Sequence, residues 1–401
     1  MTPRPSEGRR RAPEAAAGGA AAGTGAGPTP DVLVTDEAAL RALVTEVAAE
    51  DSYAFDTEFH TERTYVPELA LIQVAWGDKV ALIDPRAVDP APLGEVLGGP
   101  GTAVAHAASQ DLDVLMAACG AVPATVFDTQ IVAGFLGMSS PSLSRLVDQV
   151  LGITLPKADR LSDWLVRPIT ERQVAYAVND VAHLLALRRV LSERLRALGR
   201  LEWAIDECDQ VLGDRTPARV PEEAWWKLGD IRSMSRRSRA RPRPLGRRRI
   251  LSDLGLLAIS QRPPHSVAEL RTARGIDGRH LAQGRADEIL DAVQRGLELP
   301  SGDLRMPAEG RDAPAPAAAV AICSGLVRQI ADDLDFDQSL LATRADLAQL
   351  LAGEPSRLDT GWRRDTVGEP LRRLIAGEVA AAFGPKGRVV LEERSGRPAG
   401  P

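Results

Sequence analysis

The chain has 401 residues, 44% of them hydrophobic and 26% charged, a balance that excludes a collagen, a coiled coil and a fully disordered chain. This length suits two or three domains, and no apolar run reaches the roughly 18 residues of a membrane span. Three widely spaced cysteines and five histidines fit a reducing cytoplasm better than a disulfide framework or a zinc site. We therefore expect a soluble, cytoplasmic protein without a membrane segment.

Charge divides the chain into an acidic and a basic part. Residues 31–215 carry 15 Lys and Arg against 28 Asp and Glu, whereas residues 216–300 carry 17 against 10. An acidic domain could hold divalent cations. A basic domain could hold a polyanion by neutralising its phosphates.

In chain order, the first predicted elements are a tail and a mixed α/β region. Residues 1–30 are mostly Ala, Gly and Pro, lack the apolar stretch of a signal peptide and are predicted to be disordered. Apolar periodicity predicts a helix over 38–49, strands over 53–56, 69–75, 80–83 and 103–107, and helices over 111–119, 128–136, 142–151 and 170–198. Gly77 and Asp78 are typical of a hairpin turn. A few strands followed by many helices indicate a mixed α/β domain over residues 31–215.

Beyond residue 215, strand patterns nearly vanish. The predicted elements are helices over 221–231 and 266–297, a linker over 301–317, a helical region over 318–394 with a possible strand at 388–392, and a tail over 395–401. The segment Arg232–Arg249 contains nine arginines and almost no aliphatic residue, so it lacks the apolar face of a packed helix. Three interpretations stay open for it: a solvated loop, an arm that binds phosphates, and an error in the sequence.

Acidic residues in three places could form one site. Asp56 and Glu58 follow a strand two residues apart, so both side chains point to the same face. Carboxylate pairs suit Mg²⁺ and Mn²⁺, although one pair is a weak signal. Asp111 begins a predicted helix, where an acid that only complements the helix dipole is the simpler interpretation. Tyr176 and Asp180 lie one helical turn apart among apolar neighbours, where a lone buried carboxylate would be costly.

The segments around these residues resemble a known family. FDTEFHTERTYVPELALIQVA, HAASQDLDVL and KADRLSDWLVRPITERQVAYAVND resemble, in order and spacing, the three exonuclease motifs of the ribonuclease D family, the Tyr-type branch of the DEDD 3′-to-5′ exonucleases. The resemblance covers about residues 31–213 and implies a ribonuclease H-like α/β exonuclease domain, a mixed sheet flanked by helices. It also implies a set of catalytic residues, which are Asp56, Glu58, Asp111, Tyr176 and Asp180. The four acids of this set would be the metal ligands.

The chemistry of these residue types agrees with that assignment. Four carboxylates can hold two divalent metal ions, Mg²⁺ or Mn²⁺, which activate a water and stabilise the leaving 3′ oxygen. A phenol with a pKa near about 10 is a poor base at neutral pH, so we expect Tyr176 to orient the attacking water. Asp113, which also lies in the second motif, is then a helix residue and not a ligand.

Other polar residues near the motifs have competing interpretations. Lys157 and Arg160, in the loop of the third motif, are candidates for binding substrate phosphates, with a solvated loop as the alternative. His106 precedes the second acidic motif, and a structural hydrogen bond is a stronger expectation for it than contact with substrate. We expect Asp128 to cap the following helix and Asp84 to close a turn.

The C-terminal half resembles small helical modules. Residues 220–231 and 250–296 resemble the HRDC domain found in ribonuclease D and in some helicases, which implies an all-α domain over residues 216–300. Arg232–Arg249 departs from that pattern. Residues 318–394 resemble the second, more divergent HRDC-like domain of the same family.

Two features of these modules could bind phosphates or be purely structural. Gly275 is typical of the turn in a helical hairpin, whose backbone amides could meet an anion. The arginines at 363, 364, 372 and 373 could form a basic face, or they could simply be solvated.

The sequence and the resemblance together predict a metal-dependent 3′-to-5′ exoribonuclease. It would release nucleoside 5′-monophosphates from single-stranded RNA 3′ ends, with tRNA precursors as the expected substrate and the basic region over residues 216–300 in contact with nucleic acid. A DNA exonuclease is one alternative, because no motif residue reads a 2′-hydroxyl. A nucleic-acid-binding protein that does not cleave is the other. The sequence does not determine the oligomeric state, and a monomer is the working expectation.

Overall fold

The computed structural model of the chain describes residues 32–60, 67–156, 162–213, 253–278, 281, 284–298 and 316–394. Several predictions concern residues outside these ranges. They are the two tails over 1–30 and 395–401, the helix over 221–231, the arginine segment Arg232–Arg249 and the linker up to residue 315.

A six-stranded mixed sheet forms the centre of the first domain, which confirms the mixed sheet that the family resemblance implies. Its strands are β1 (Val32–Val34), β2 (Ser52–His60), β3 (Glu68–Trp76), β4 (Lys79–Ile83), β5 (Thr102–Ala105) and β6 (Val126–Asp128). They lie in the order β1-β4-β3-β2-β5-β6, with β3 antiparallel to β2 and β4 and the other neighbours parallel. The edge strands β1 and β6 are absent from the predicted elements because three residues are too few to show an alternating pattern.

Helices cover both faces of this sheet. They are α1 (Glu37–Ala48), α2 (Gly94–Leu97), α3 (Ser109–Cys119), α4 (Thr129–Gly134), α5 (Leu143–Leu151), α6 (Glu171–Ala182), α7 (Leu184–Ala197) and α8 (Leu201–Gly213). α1, α2 and α3 share an apolar core with one face, and α4 to α8 share a second core with the other. The central strands are therefore apolar on both sides, which is typical of a sheet between two helical layers.

The predicted helix over 170–198 consists of two helices, α6 and α7, separated at His183. Thr170 begins α6, because its hydroxyl accepts a hydrogen bond from the Gln173 backbone N–H at 3.3 Å. The Gln173 side chain in turn accepts from the Thr170 backbone N–H at 3.0 Å. This reciprocal capping box confirms the predicted N-cap and fixes the start of the helix that carries Tyr176 and Asp180.

The C-terminal region shares the second core of the first domain. Its helices are Ala317–Leu334, Gln338–Leu341, Arg344–Ala352, Gly361–Arg363 and Glu369–Ala376. The Phe336 and Trp362 rings lie 5.2 and 5.3 Å from the ring of Phe135 in the first domain, centroid to centroid. Trp203 of α8 stacks on Trp362 at 5.4 Å. These aromatic contacts join the two regions through a common apolar interior.

The C-terminal region is not helical throughout, because an antiparallel hairpin closes it. β7 (Val379–Phe383) pairs with β8 (Val389–Glu393). The sequence predicts only the second strand. The alanines at the centre of β7 favour a helix at least as much as a strand, and the pairing with β8 decides between them.

A buried ion pair crosses the same interface. The Arg363 side chain is only 2% exposed; it donates to the Glu207 carboxylate of α8 and to the Leu340 carbonyl oxygen, the latter at 2.7 Å. Arg363 is therefore neither solvated nor part of a basic face. Arg372 and Arg373 are also paired with carboxylates of their own region. These contacts contradict a basic face that includes Arg363, Arg372 and Arg373, whereas Arg364 is exposed.

A separate small module lies within residues 253–298. Its helices are Asp253–Gln261, Val267–Thr272 and Arg285–Glu298. Four buried residues form its core: Ile259, Leu270, Ala286 and Ile289. Gly275 has a φ of +83°, a conformation that suits glycine, and it lies between the last two helices as predicted for a helical hairpin. Among the described helices of the whole chain, none is both long enough and apolar enough to cross a bilayer.

We expect Glu207→Gln to destabilise the protein by about 3 kcal/mol or more, because the Arg363 cation would remain buried without its main counter-charge. Urea or thermal unfolding measures the change. Arg41→Ala is the control: its pair with Glu37 is more than half exposed on both sides, and removing it is expected to cost less than about 1 kcal/mol. Equal stabilities of the two variants would show that the buried pair does not hold the regions together.

Candidate active site

Asp56 and Glu58 lie on one face of β2, in the middle of the sheet. Phe55, the residue before Asp56, points to the opposite face and packs in the core formed with α1 to α3. Asp56 and Glu58 are half-buried as whole residues, with their carboxylates in the less solvated part, and α6 packs across β2, β3 and β4 on their side of the sheet. A β-bulge directly after Glu58 shifts the register to β3, which interrupts the regular pairing at the site.

Asp111 reaches the site from α3, on the other side of β2. The Thr57 hydroxyl donates a hydrogen bond to its carboxylate, so the residue between the two strand acids holds the third acid. The turn before α3 contains Ala107 with a φ of +61°. Asp128 fixes this turn, because its carboxylate accepts the backbone N–H groups of Ala107 and Ala108 at 3.0 and 2.9 Å. Asp128 also caps α4, as predicted.

Tyr176 and Asp180 come from α6 and complete the group. They lie one turn apart on the same face of the helix, which places the Tyr176 phenol next to the Asp180 carboxylate. Ala177, Val178 and Val181 are fully buried beneath them in the second core. The packing of α6 on the sheet therefore decides how close this pair lies to Asp56 and Glu58.

The acids repel one another in a poorly solvated place. Burial, followed by repulsion from Asp111, Asp180 and Glu58, holds the pKa of Asp56 well above its usual range. Burial and repulsion from Asp180 and Asp111 raise the pKa of Glu58 to about 8. Burial raises the pKa of Asp111 to about 6, against the opposing hydrogen bond from Thr57.

The pKa of Tyr176 is raised as well, first by burial and then by the nearby carboxylates of Asp180, Glu58 and Asp56. A phenol with a pKa above its ordinary value stays protonated at neutral pH. Tyr176 is therefore a neutral hydrogen-bonding group in this environment, which agrees with the predicted orienting role.

The donor chemistry of the site suits a hard divalent cation, because the four acids offer carboxylate oxygens and burial disfavours their charge. Within the part of the chain that the structure describes, no three His, Cys, Asp or Glu side chains converge closely enough to hold a metal ion. The structure thus brings the acids into one electrostatic neighbourhood without showing a coordination shell. Their assignment as metal ligands stays a prediction.

A loop before α6 supports Tyr176 from the side. Trp164 is buried, and its ring lies 5.9 Å from the Tyr176 ring. The Trp164 backbone N–H donates to Nε2 of His60 at 3.3 Å, and the Trp164 carbonyl accepts from Arg167 at 2.8 Å. Arg167 also donates to the Asp84 carboxylate at 2.7 Å. The loop is therefore tied to the end of β2 and to the turn after β4.

Asp84 closes a turn, as predicted, and its side chain accepts the Arg86 backbone N–H at 2.9 Å. Its pairing with Arg167 is an additional role that the sequence does not reveal. The hydrogen bonds from Arg167 and Arg86 lower the pKa of Asp84 despite its burial. It therefore remains ionised and holds the loop at neutral pH.

His106 is held by the protein through both ring nitrogens. Nδ1 lies 2.9 Å from the Thr129 hydroxyl oxygen, and Nε2 lies 3.1 Å from the Pro141 carbonyl oxygen. These contacts favour the structural interpretation of His106 over contact with substrate. Lys157 and Arg160 lie outside the described residues, so their substrate-binding role stays a prediction.

The small helical module has no basic excess among its described residues, although residues 216–300 as a whole are basic. Its described residues contain five Arg and seven Asp or Glu, so the folded helices carry no excess of positive charge. The basic excess over residues 216–300 comes mainly from Arg232–Arg249 and its neighbours, which lie outside the described residues. Nucleic-acid binding by this region would therefore depend on that segment.

Sequence reasoning does not assign the supporting roles of Thr57, Trp164 and Arg167. All three lie inside the motif segments, and this location could have marked them as candidates for a role at the site. Their contacts, however, join positions far apart in the chain. Only the fold shows which carboxylate or backbone group each one meets.

We expect Glu58→Gln to raise the melting temperature of the metal-free protein by several degrees at pH 8. Glu58 and Asp111 bind protons more tightly in the folded than in the unfolded state, so stability without metal falls as pH rises from about 4 through about 8. An amide cannot ionise and avoids this loss. Melting curves in EDTA at pH 5 and pH 8 measure the effect; a variant no more stable than wild type at pH 8 would contradict it.

Comparisons with known proteins agree with the fold and with the motifs. The 3′-5′ exonuclease family matches residues 32–196. The chain is 36% identical over 369 residues to the ribonuclease D of Gluconacetobacter diazotrophicus, across 87% of this chain and 93% of that protein. It is 34% identical over 375 residues to the ribonuclease D of Granulibacter bethesdensis, across 88% and 94%.

A solved structure extends the likeness to three dimensions. The crystal structure of Escherichia coli RNase D, an exoribonuclease involved in structured RNA processing, matches with a TM-score of 0.74 at 32% sequence identity. The match covers 86% of this chain and 98% of that one, so it includes the C-terminal helical region. On these grounds, the chain belongs to the ribonuclease D family and is a 3′-to-5′ exoribonuclease.

Proposed function

We propose that the protein hydrolyses RNA from the 3′ end with divalent metal ions and releases nucleoside 5′-monophosphates. The observation that carries this proposal is that Asp56, Glu58, Asp111 and Asp180 share one poorly solvated neighbourhood. Burial raises the pKa values of the first three, and repulsion between the acids adds to this at Asp56 and Glu58. A fold that maintains such repulsion without a bound cation destabilises itself. The arrangement is understandable when its ligand is cationic.

The four carboxylates would hold two ions, Mg²⁺ or Mn²⁺. When bound, these ions would supply an activated water and charge stabilisation for the leaving 3′ oxygen. The carboxylates would be ionised in that state, because the cations offset the repulsion between them. In the overall reaction, water adds to the terminal phosphorus, the bond to the preceding 3′ oxygen breaks, and that oxygen takes up a proton.

Tyr176 would orient the attacking water as a neutral phenol. Its raised pKa makes it a poor base, and the contact of its ring with Trp164 supports its position next to Asp180. Trp164 and Arg167 would act on Tyr176 from the supporting loop and would not touch the reacting atoms.

We further propose single-stranded 3′ ends of tRNA precursors as substrate and the cytoplasm as the place of action. The likeness to an exoribonuclease involved in structured RNA processing supports this substrate class. Residues 216–300 would be an HRDC domain that contacts RNA through its arginine segment, and residues 318–394 a second HRDC-like domain. A monomer remains the working proposal.

A time course with 5′-labelled and 3′-labelled RNA tests the reaction. Wild type with Mg²⁺ or Mn²⁺ should give a descending ladder from the 5′ label and mononucleotide from the 3′ label, and EDTA should abolish both. Asp56→Asn should lose at least about 100-fold in rate, because metal ligands matter more than their outer partners. Asp113→Asn is the matched control, since Asp113 is exposed on the same helix as Asp111.

Three outcomes of this time course would contradict the proposal. Cleavage that persists in EDTA would exclude the metal mechanism. Equal loss in both variants would exclude a special role for Asp56. Faster cleavage of a matched DNA strand would replace RNA by DNA as the substrate.

Arg167→Met tests the supporting loop. We expect kcat to fall about 10- to 100-fold with little change in KM for RNA, because Tyr176 would lose its fixed position while the substrate contacts stay. Arg86→Met, which removes an exposed arginine paired with Glu68, should leave both constants unchanged. A rise in KM alone would show that Arg167 acts on binding instead of positioning.

A further inference from the structure

Gln73 occupies an unexpected place for a polar residue. It lies in the middle of β3 with no exposed surface, paired in register with Asp56 on β2 and with Leu82 on β4. Leu71 and Ala75, which share its face, are apolar and belong to the second core. An apolar side chain of the same length would suit this position as far as packing is concerned.

Neither polar atom of the Gln73 amide has a hydrogen-bond partner. Both Nε2 and Oε1 are buried and unsatisfied. Buried amides in proteins are nearly always hydrogen-bonded, so an orphaned one calls for a role that folding does not supply. Gln73 therefore disfavours the metal-free state, as the clustered acids do.

The register of the sheet indicates which group could accept a hydrogen bond from the Gln73 amide. Residues directly opposite on antiparallel strands have Cβ atoms about 4.5 to 5.5 Å apart and point to the same face. Asp56 is that opposite residue. The Gln73 side chain is long enough to reach its carboxylate, and both lie beneath α6, which packs on β2 and β3.

A glutamine is well suited to support a ligand carboxylate. Its N–H donates a hydrogen bond and carries no charge, whereas Lys or Arg at the same place would neutralise the carboxylate and compete with a cation. Thr57 already supports Asp111 in this way, since its uncharged hydroxyl donates a hydrogen bond to the Asp111 carboxylate. The same kind of partner for Asp56 would come from the neighbouring strand.

We propose that Gln73 is a positioning residue for Asp56: its amide N–H donates to the Asp56 carboxylate when that carboxylate holds a divalent cation. The inference rests on the proposed metal-dependent function. It assigns the orphaned amide a partner in the metal-bound state and links the centre of β3 to the geometry of the site.

Mn²⁺ binding to the full-length protein, measured by electron paramagnetic resonance or calorimetry, tests the inference. We expect Gln73→Met to bind Mn²⁺ about 10- to 100-fold more weakly than wild type. Its melting temperature in EDTA should be unchanged or higher, because the orphaned amide is removed. Raising the Mn²⁺ concentration should restore most of its RNA cleavage.

Val74→Ala is the matched control, since Val74 is the next residue on β3 and is buried in the opposite core. It should lower the melting temperature and leave Mn²⁺ affinity unchanged. If Gln73→Met does not fold, Gln73→Leu replaces it in the same measurements. A Gln73 variant that binds Mn²⁺ as wild type does would overturn the inference while leaving the proposed function intact. Wild type without Mn²⁺ binding would overturn both.

Discussion

The repulsion among the buried acids is the constraint on which the rest of the site depends. Asp56 and Glu58 stay close because successive strand residues alternate, and Phe55 packs deeply in the opposite core. Asp180 is brought to them by α6, whose apolar face is fixed on the sheet. Core packing thus supplies the free energy that keeps like charges together, and this is how a stable scaffold can carry a site that is unfavourable by itself.

Charged residues around the candidate site support it, and each is paired with an opposite charge or with backbone groups. The Asp128 carboxylate accepts hydrogen bonds from backbone N–H groups of the strained turn before α3. The Asp84 carboxylate pairs with Arg167, which lies in the loop of Trp164. Each of these charges lies beside an opposite charge or backbone N–H groups, whereas Asp56 and Glu58 lie beside other carboxylates. At the interface with the C-terminal region, Arg363 is compensated in the same way by α8. These supporting charges are therefore stabilised by their own partners within the folded protein.

Much of the fold could be predicted from local pattern. The hairpin at Gly77, the capping box at Thr170 and the length of most helices follow from turn chemistry, capping and periodicity, which act over a few residues. The three-residue edge strands and the strand β7 could not be predicted, because their pairing partners lie elsewhere in the chain or their composition equally favours a helix. The break at His183 falls inside an unbroken helical pattern.

The sequence by itself predicted the candidate catalytic residues and their order through the family resemblance. It also determined their local faces, because i, i+2 spacing in a strand and i, i+4 spacing in a helix place side chains together. The tertiary structure alone decided that Thr57 meets Asp111, that Arg167 meets Asp84, and that Arg363 is buried instead of solvated. It alone placed Gln73 opposite Asp56 with an unsatisfied amide. Such contacts depend on strand register and helix packing, and these arise from the whole core, which no local sequence window contains.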